Sequence, residues 1–276
     1  MSRLHPKKQL GQVFLKNKAY LAKIIKAAEL KPNDLVLEIG PGTGILTEAL
    51  LKTHAQVIAI EKDPQLVNFL KDKFKNDKNL TIIEADIRDF IKNNEIKNLK
   101  LKIKNYKVIG NIPYYLTSYL IRLLVTLDTK PEIIVLLVQK EVAQRIVAQP
   151  PKMNLLAVSV QFYAKPEIIS SVPKSAFWPQ PKVDSAIIKL TPINTDENTK
   201  YTDQNTDCTD KENFFRVVKA GFSHPRKLVL NNLSDTLNIP RQEIEKLFRQ
   251  LNLPLQSRAQ ELSLKTWLNL TQYLFA

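Results

Sequence analysis

The sequence predicts an α/β fold, a largely parallel sheet with helices on both faces, followed by a small all-helical C-terminal domain. Three observations carry that expectation. Through residue 192, short apolar runs alternate with stretches of helical periodicity, the pattern of strands joined by crossover helices. From Ile193 to Asp210 the chain is rich in Thr, Asn and Asp and nearly devoid of apolar residues, as in a solvated linker or long loop. Beyond it, apolar residues recur at three- and four-residue spacing. The expected division is an α/β domain over residues 1–192, an acidic polar connector over 193–210, and a helical domain over 211–276.

Taken in order, a helix near Asn17–Leu30 precedes the first strand. Strands are expected at Asp34–Ile39, Gln56–Glu61, Leu80–Glu84, Lys107–Gly110 and Glu132–Val138, each a short apolar run. Helical stretches near Thr43–Lys52, Pro64–Lys75 and Tyr115–Leu127 lie between them. After Val138 come a helix near Lys140–Ala148, an apolar run at Leu155–Ala164 and a strand at Val183–Leu190. Two late strands would suit an antiparallel sheet edge. The last domain reads as helices near Glu212–Phe222, Arg226–Leu237, Arg241–Leu251 and Ser263–Leu274.

Charge narrows the partner. The 276 residues carry a formal net charge of +14, and the connector holds five acidic residues and one lysine, so the remainder carries +18. Such a balance favours polyanions, either nucleic acid or an anionic membrane surface. No basic amphipathic helix with a bulky apolar face is evident, and the longest strongly apolar run, Ile133 to Val138, is far short of the roughly 20 residues that span a bilayer. No membrane partner is therefore expected. The Met1–Lys8 segment lacks the apolar core of a secretory signal, and the lone Cys208 excludes an intramolecular disulfide, which together suggest a reducing cytoplasm. His5, His54 and His224 are scattered without metal-ligand spacing, so no metal is expected. No apolar patch can be located, and a monomer is the default.

The chemistry gathers at strand ends. Glu38-Ile39-Gly40-Pro41-Gly42-Thr43-Gly44 follows the first strand and opens a helix, with three of the chain's six glycines. Glycines there permit a tight turn and a close backbone approach to a ligand. A nicotinamide-cofactor fold would share that loop. Glu61 ends the second strand, placed to accept hydrogen bonds from ribose hydroxyls, and Asp86 follows the third, placed to accept from an adenine amino group. Asn111-Ile112-Pro113-Tyr114 directly follows the fourth strand. An exocyclic adenine nitrogen is a poor nucleophile because its lone pair is delocalised into the ring. Acceptors aimed at its N–H groups, here the Asn111 side-chain oxygen and the Ile112 carbonyl, favour the pyramidal nitrogen that attacks a sulfonium methyl. Attack would be direct and in line, without a covalent enzyme intermediate. Pro113 stiffens the turn, and Tyr114 offers a face for the target base. Phe177, opening the turn Phe177-Trp178-Pro179-Gln180-Pro181-Lys182-Val183-Asp184-Ser185, is a candidate for the other side of a flipped base.

These residues, in this order, resemble the rRNA adenine dimethyltransferase family. The resemblance starts at Lys8-Gln9-Leu10-Gly11-Gln12-Val13-Phe14-Leu15 and runs through the glycine loop, Glu61, Asp86 and Asn111–Tyr114. It continues at Gln139-Lys140-Glu141-Val142-Ala143, the Phe177–Ser185 turn and Arg258-Ala259-Gln260-Glu261-Leu262-Ser263. It implies a Rossmann-like class I methyltransferase sheet with S-adenosylmethionine as methyl donor. Cofactor contacts are implied at the positions of Val13, Leu15, Gly40, Glu61, Asp86 and Asn111. It is nearest to the bacterial small-subunit branch, which implies two methyl transfers to each of two adjacent adenosines in the 3′-terminal hairpin of 16S rRNA, and a role in small-subunit biogenesis. The partner would be that RNA or a pre-30S subunit, with the helical domain assisting RNA binding. Val13 stands where bacterial members often have Asn, so a contact there must use backbone or packing. Asn154 replaces a usual glycine, and His224-Pro225 precedes Arg226-Lys227 where a more basic or polar pair is expected.

Two other readings share parts of this pattern. A large-subunit rRNA methyltransferase of the antibiotic-resistance type has the same loop, tetrapeptide and aromatic turn; Gly11-Gln12, Arg258–Ser263 and Trp267 favour the small-subunit branch. A non-enzymatic RNA-binding assembly factor would keep the fold without needing Glu61, Asp86, Asn111 and Tyr114. For phosphate contacts there are two candidate regions. One is Lys92, Lys97, Lys100, Lys102, Lys104 and Lys107, with only Glu95 as a counter-charge; the other is Arg226, Lys227, Arg241 and Arg249.

Overall fold

The structure is a computed structural model that describes residues 6–7, 10–93, 106–193 and 211–275. The described residues fall into two compact units, one within Met1–Gln144 and Pro166–Pro192, the other within Arg145–Lys165 and Ile193–Ala276. Residues 145–165 thus belong to the second unit, a boundary that the division at residue 192 did not anticipate.

The first unit is built on β2 (Leu35–Ile39), β3 (Gln56–Glu61), β4 (Leu80–Glu84), β5 (Tyr106–Asn111), β6 (Ile133–Gln139), β9 (Ser185–Pro192) and, from Pro166 on, β7 (Ala164–Val172). Their order in the sheet is β4-β3-β2-β5-β6-β9-β7, with β2 through β6 parallel and β9 antiparallel to β6. The register aligns Ile39 with both Ile60 and Gly110, Glu61 with Glu84, and Asn111 with Leu137. Four carboxyl ends therefore share one edge, where open α/β sheets bind ligands.

Burial explains the strands. Val36, Val57, Ala59, Ile109, Val135, Leu137 and Ile187 share a core with Leu21, Ile24 and Ala28 of α1 (Lys18–Ala28) and Leu46 and Leu50 of α2 (Ile45–Leu51). The alternate residues Leu37, Ile58, Ile60, Val108, Ile134 and Leu136 are buried as well, so the central strands read as continuous apolar runs. Asn17 caps α1 by accepting from the Ala19 amide, and Asp63 caps α3 (Pro64–Lys73) by accepting from the Gln65 amide. A short helix, α4 (Ile87–Lys92), begins on Asp86. After a 3₁₀ turn over Tyr114–Leu116 comes α5 (Thr117–Val125), and α6 (Lys140–Ile146) follows β6 directly.

Three features were not legible in the sequence. The helix α4 is one. The second is β7, a sheet-edge strand interrupted by Pro166, which an edge tolerates. The apolar run before it is the helix α7 (Leu155–Gln161) rather than part of a strand. The third is a two-stranded ribbon of β1 (Phe14–Leu15) and β8 (Phe177–Trp178), antiparallel, with Phe14 opposite Trp178 and Leu15 opposite Phe177.

The second unit contains α7, α8 (Lys211–Gly221), α9 (Val229–Leu237), α10 (Arg241–Gln250) and α11 (Leu264–Phe275). Phe162 stacks on Phe214 with ring centroids 4.4 Å apart, and Trp267 is fully buried against Gly221. Asn154 caps α7 by accepting from the Ala157 amide while its Nδ2 donates to the Arg145 carbonyl, so this departure from the family's glycine gains a capping role. Arg258–Glu261 forms a capping box in which Glu261 accepts from the Arg258 amide at 2.9 Å. His224 lies in the turn that Asn232 fastens, through Nδ2 donated to the Gly221 and His224 carbonyls. Residues 194–210, which include most of the expected connector and Cys208, lie outside the described residues.

Candidate active site

The chain ends of β2, β3, β4 and β5 open into one pocket in the first unit. Val13, Leu15, Gly40, Glu61, Asp86 and Asn111, all six residues expected at a cofactor, line it. The segment Leu10–Leu15 forms one wall of it; Lys8 and Gln9 of the same motif lie outside the described residues.

The glycine loop fits closely under that wall. Gly42 has φ +58°, and a Cβ there would lie 2.8 Å from the Phe14 ring, so the loop and the segment touch only because the side chain is absent. Glu61 fastens the loop from below. Its carboxylate accepts from the Gly42 amide at 3.2 Å and from the Lys62 and Asp63 amides, both at 2.9 Å. Burial pushes its pKa up, against these backbone donors, which favour the charged form. A carboxylate has about four acceptor sites. With three used, roughly one is left for a ligand hydroxyl.

Asp86 is an anion under tension from two cations. Arg88 donates to it from its backbone amide, Nε and a terminal nitrogen, the last at 2.6 Å to Oδ2, and Lys62 Nζ lies 3.0 Å from the same Oδ2. The Arg88 guanidinium holds its carboxyl well below the usual carboxylate range. Neither Arg88 nor Lys62 was singled out by the sequence, because a basic residue beside an acid has no distinctive spacing.

Asn111 is the most informative residue. Its Nδ2 donates to the Val13 carbonyl at 2.7 Å, while its Oδ1 is buried with no hydrogen-bond partner. A carbonyl can only accept, so Val13 fixes which way the amide faces and leaves the acceptor on the other side. The buried, unfilled acceptor costs stability on its own and marks a place where a donor is missing. Gly110 brings Asn111 to this position: a Cβ there would meet the Ile39 carbonyl at 2.7 Å. Val13 thus acts through its backbone, while its side chain packs on the core.

The residues expected around the base are placed differently. Tyr114 is half-buried and does not line the pocket; its hydroxyl is hydrogen-bonded to Ser185 Oγ at 2.8 Å. Burial raises its pKa, with the Ser185 hydrogen bond opposing. Phe177 is 1% exposed in β8 and packs in the same core as Leu15. Its ring faces are covered, so it is not open to a base in this structure. Tyr115, the residue after the tetrapeptide, does line the pocket and is 61% exposed. The sequence offered it only as a neighbour of the motif.

A latch was also missed. Asp63, 2% exposed, accepts from Lys7 Nζ at 2.7 Å and from Gln12 Nε2 at 3.0 Å, while Gln12 Oε1 accepts from the Lys7 amide. Burial would raise the Asp63 pKa, but the hydrogen bonds from Lys7 and Gln12 outweigh it and the pKa is lowered. One carboxylate therefore caps α3 and holds the segment that walls the pocket.

Of the basic residues considered for phosphate, Lys107 is corrected. It is 4% exposed, and its ammonium is spent on Asp34 at 2.7 Å and the Glu29 carbonyl at 2.6 Å. Lys97, Lys100, Lys102 and Lys104 lie outside the described residues, and Lys92 is exposed. In the second unit, Arg241 pairs with Glu245 and Lys227 lies 3.7 Å from Asp235, whereas Arg226 and Arg249 are exposed. Among the described residues there is no cluster of metal-ligating side chains, and no helix is long and apolar enough to cross a membrane.

The glycine loop, Glu61, Asp86 and Asn111 with its partnerless amide oxygen thus meet at one pocket. The model of the ribosomal RNA adenine dimethylase family matches residues 3–275. The chain belongs to that family. Relatives of the dimethylase chain include a "Ribosomal RNA small subunit methyltransferase A" of Dehalococcoides mccartyi, 41% identical over 96% of this chain and 87% of that protein. Another of the same name, from Rippkaea orientalis, is 38% identical over 95% of both chains. Among solved structures, the dimethylase chain resembles a dimethyladenosine transferase from Plasmodium falciparum, with TM-score 0.71, 30% identity, and 93% and 95% of the two chains covered. It also resembles the 23S rRNA methyltransferase ErmE, with TM-score 0.73, 25% identity, and 95% and 100% covered. The fold is that of class I methyltransferases, and family and fold together imply S-adenosylmethionine as the donor.

Proposed function

We propose that the chain is the N6,N6-dimethyltransferase of small-subunit rRNA, acting on two adjacent adenosines of the 3′-terminal hairpin of 16S rRNA in the cytoplasm. The single observation that carries the chemistry is the buried, partnerless Oδ1 of Asn111, a residue that lines the pocket. The RNA target is supported by relatives that are named for the small subunit and are 38–41% identical over at least 95% of this chain.

The pocket residues suit S-adenosylmethionine. Glu61 has a remaining acceptor for a ribose hydroxyl, Asp86 lines the pocket as an anion on which an adenine amino group would take the place of Lys62, and Gly40, without a side chain, lets a ligand approach the backbone. When bound, the cofactor supplies an electrophilic sulfonium methyl. Asn111 Oδ1 and the Ile112 carbonyl accept the N–H groups of the target adenine, which turns the nitrogen lone pair away from the ring and toward the methyl. Accepting these bonds in a site already organised for them costs no reorganisation at the moment of transfer. Tyr114, fixed by Ser185, supplies the stacking face for the extruded base, whose unstacking costs a few kcal/mol. Phe177, buried in β8 opposite Leu15, would hold the Leu10–Leu15 wall in place rather than touch the base.

The second reading, methylation of large-subunit rRNA, is favoured by one observation: the similarity to ErmE over 95% of this chain. Primer extension on both rRNAs, after incubation with the protein and S-adenosylmethionine, separates the two. A new block at the 3′-terminal hairpin of 16S rRNA is expected. A block confined to 23S rRNA would move the assignment, and no block in either would favour an assembly factor without activity.

A further inference from the structure

Two short rows of side chains leave the pocket side by side, and neither has a part in the chemistry. One row is aromatic: Tyr115, at the pocket wall and 61% exposed, and Tyr119, four residues on in α5 and 42% exposed. The other is cationic and lies on α4: Arg88, with a side chain 39% exposed, and Lys92, also four residues on and exposed. The rows face each other. Lys92 Nζ lies 6.0 Å from the centroid of the Tyr119 ring. Each row starts at the pocket, since Asp86, which Arg88 grips, and Tyr115 both line it.

We propose that this ladder is the docking track for the RNA strand flanking the target adenine, with neighbouring bases on Tyr115 and Tyr119 and their phosphates on Arg88 and Lys92. It rests on the reading of the pocket as an RNA adenine methyltransferase site. Aromatic faces flanked by cations are the chemistry that holds single-stranded nucleic acid, because every base has a π-face and every linkage a charge. Large tyrosine rings left in water are not explained by packing, and the chain's excess of positive charge matches a polyanionic strand. Four helical residues advance about 6 Å. That suits successive nucleotides splayed away from their stack.

The test uses the full-length protein, S-adenosylmethionine and an RNA hairpin carrying 2-aminopurine two nucleotides from the target adenosine, the position of the Tyr119 rung. Tyr119→Ala is expected to raise the KM for RNA by roughly 5- to 100-fold, the range for loss of one base–aromatic stack. The loss should fall on KM rather than kcat, and the Kd for S-adenosylmethionine should not change, because Tyr119 is outside the pocket. Tyr119→Phe should restore the RNA KM, since the ring remains. Lys92→Gln should reduce the log–log salt slope of RNA binding by about 0.7, one phosphate's share in a single strand. Quenching of 2-aminopurine by wild type and its loss in Tyr119→Ala would complete the support. A wild-type KM and unchanged quenching in Tyr119→Ala would overturn the track while leaving the methyltransferase reading in place. Absence of methylation by wild-type protein would overturn that reading itself.

Discussion

Replacing Glu38 with glutamine probes the foot of the glycine loop. Glu38 ends one residue short of the β2 terminus and is fully buried, with neither carboxylate oxygen, nor the nearby Thr47 hydroxyl, in a hydrogen bond of ordinary geometry. Burial pushes its pKa from 4.5 up to about 8; Thr47 is the main opposing influence, and the charge of Glu61 adds to the rise. The folded protein therefore keeps Glu38 protonated at neutral pH, while the unfolded chain releases that proton above about pH 4.5. Stability is unaffected by this group below the unfolded value and is lost as pH rises toward 8. At about 1.4 kcal/mol per pH unit, the loss accumulated by pH 7 is about 3 kcal/mol. Glutamine has the same shape and no proton to lose. Its extra N–H, if unsatisfied, costs about 1–3 kcal/mol. That cost is the same at every pH, so it shifts the whole curve and leaves the slope difference intact. Thermal unfolding of wild type and Glu38→Gln at pH 5, 6, 7 and 8 is the assay. About 2.5 kcal/mol of that change falls between pH 5 and pH 7, so the Tm difference should move in the variant's favour by roughly 5–10 °C over that range, at about 2–4 °C per kcal/mol. Parallel profiles over that range would refute a neutral buried carboxyl at residue 38.

Two further substitutions test the walls of the site. Asp63→Asn keeps a helix-capping oxygen but loses the ion pair to Lys7, so the segment over the pocket should hold less firmly. Titration calorimetry should show S-adenosylmethionine binding about tenfold more weakly, on the scale of one charged hydrogen bond, with Tm nearly unchanged; equal affinity would remove the latch. Gly110→Ala forces a Cβ to 2.7 Å from the Ile39 carbonyl and displaces Asn111. It should cost about 1–3 kcal/mol in denaturant unfolding and abolish methyl transfer, whereas wild-type turnover would show that the β5 backbone tolerates the shift.

The central strands were legible because burial on both faces writes itself as unbroken apolar sequence, as in Ile133 to Val138. The glycine loop, Glu61, Asp86 and Asn111 were legible because their chemistry requires those residue types at strand ends, and the structure gathers all four. What escaped was decided by tertiary pairing. Phe177 reads as an aromatic beside prolines; only its pairing with Leu15 across two short strands shows that the ring is buried. Lys107 sits in a lysine-rich stretch, yet Asp34 and the Glu29 carbonyl, each from a different part of the chain, draw it inward. Tyr115 differs from Tyr114 by one position in a 3₁₀ turn, and no periodicity tells which of the two meets the pocket. The edge strand β7 escapes the apolar-run signal because it carries Pro166, which an edge without a second ladder partner tolerates, and its side chains are mostly half-buried or exposed.

The central claim is that Asn111 Oδ1 is the acceptor that readies the adenine nitrogen for methylation. Its most direct test is the single-turnover rate of N6,N6-dimethyladenosine formation, measured by nucleoside mass spectrometry on 16S rRNA with wild-type protein and Asn111→Ala. The variant should transfer methyl groups roughly 10²–10³-fold more slowly, as when one preorganised hydrogen-bonding group is removed from a catalytic site, while still binding the RNA. An Asn111→Ala protein that dimethylates at the wild-type rate would contradict the account.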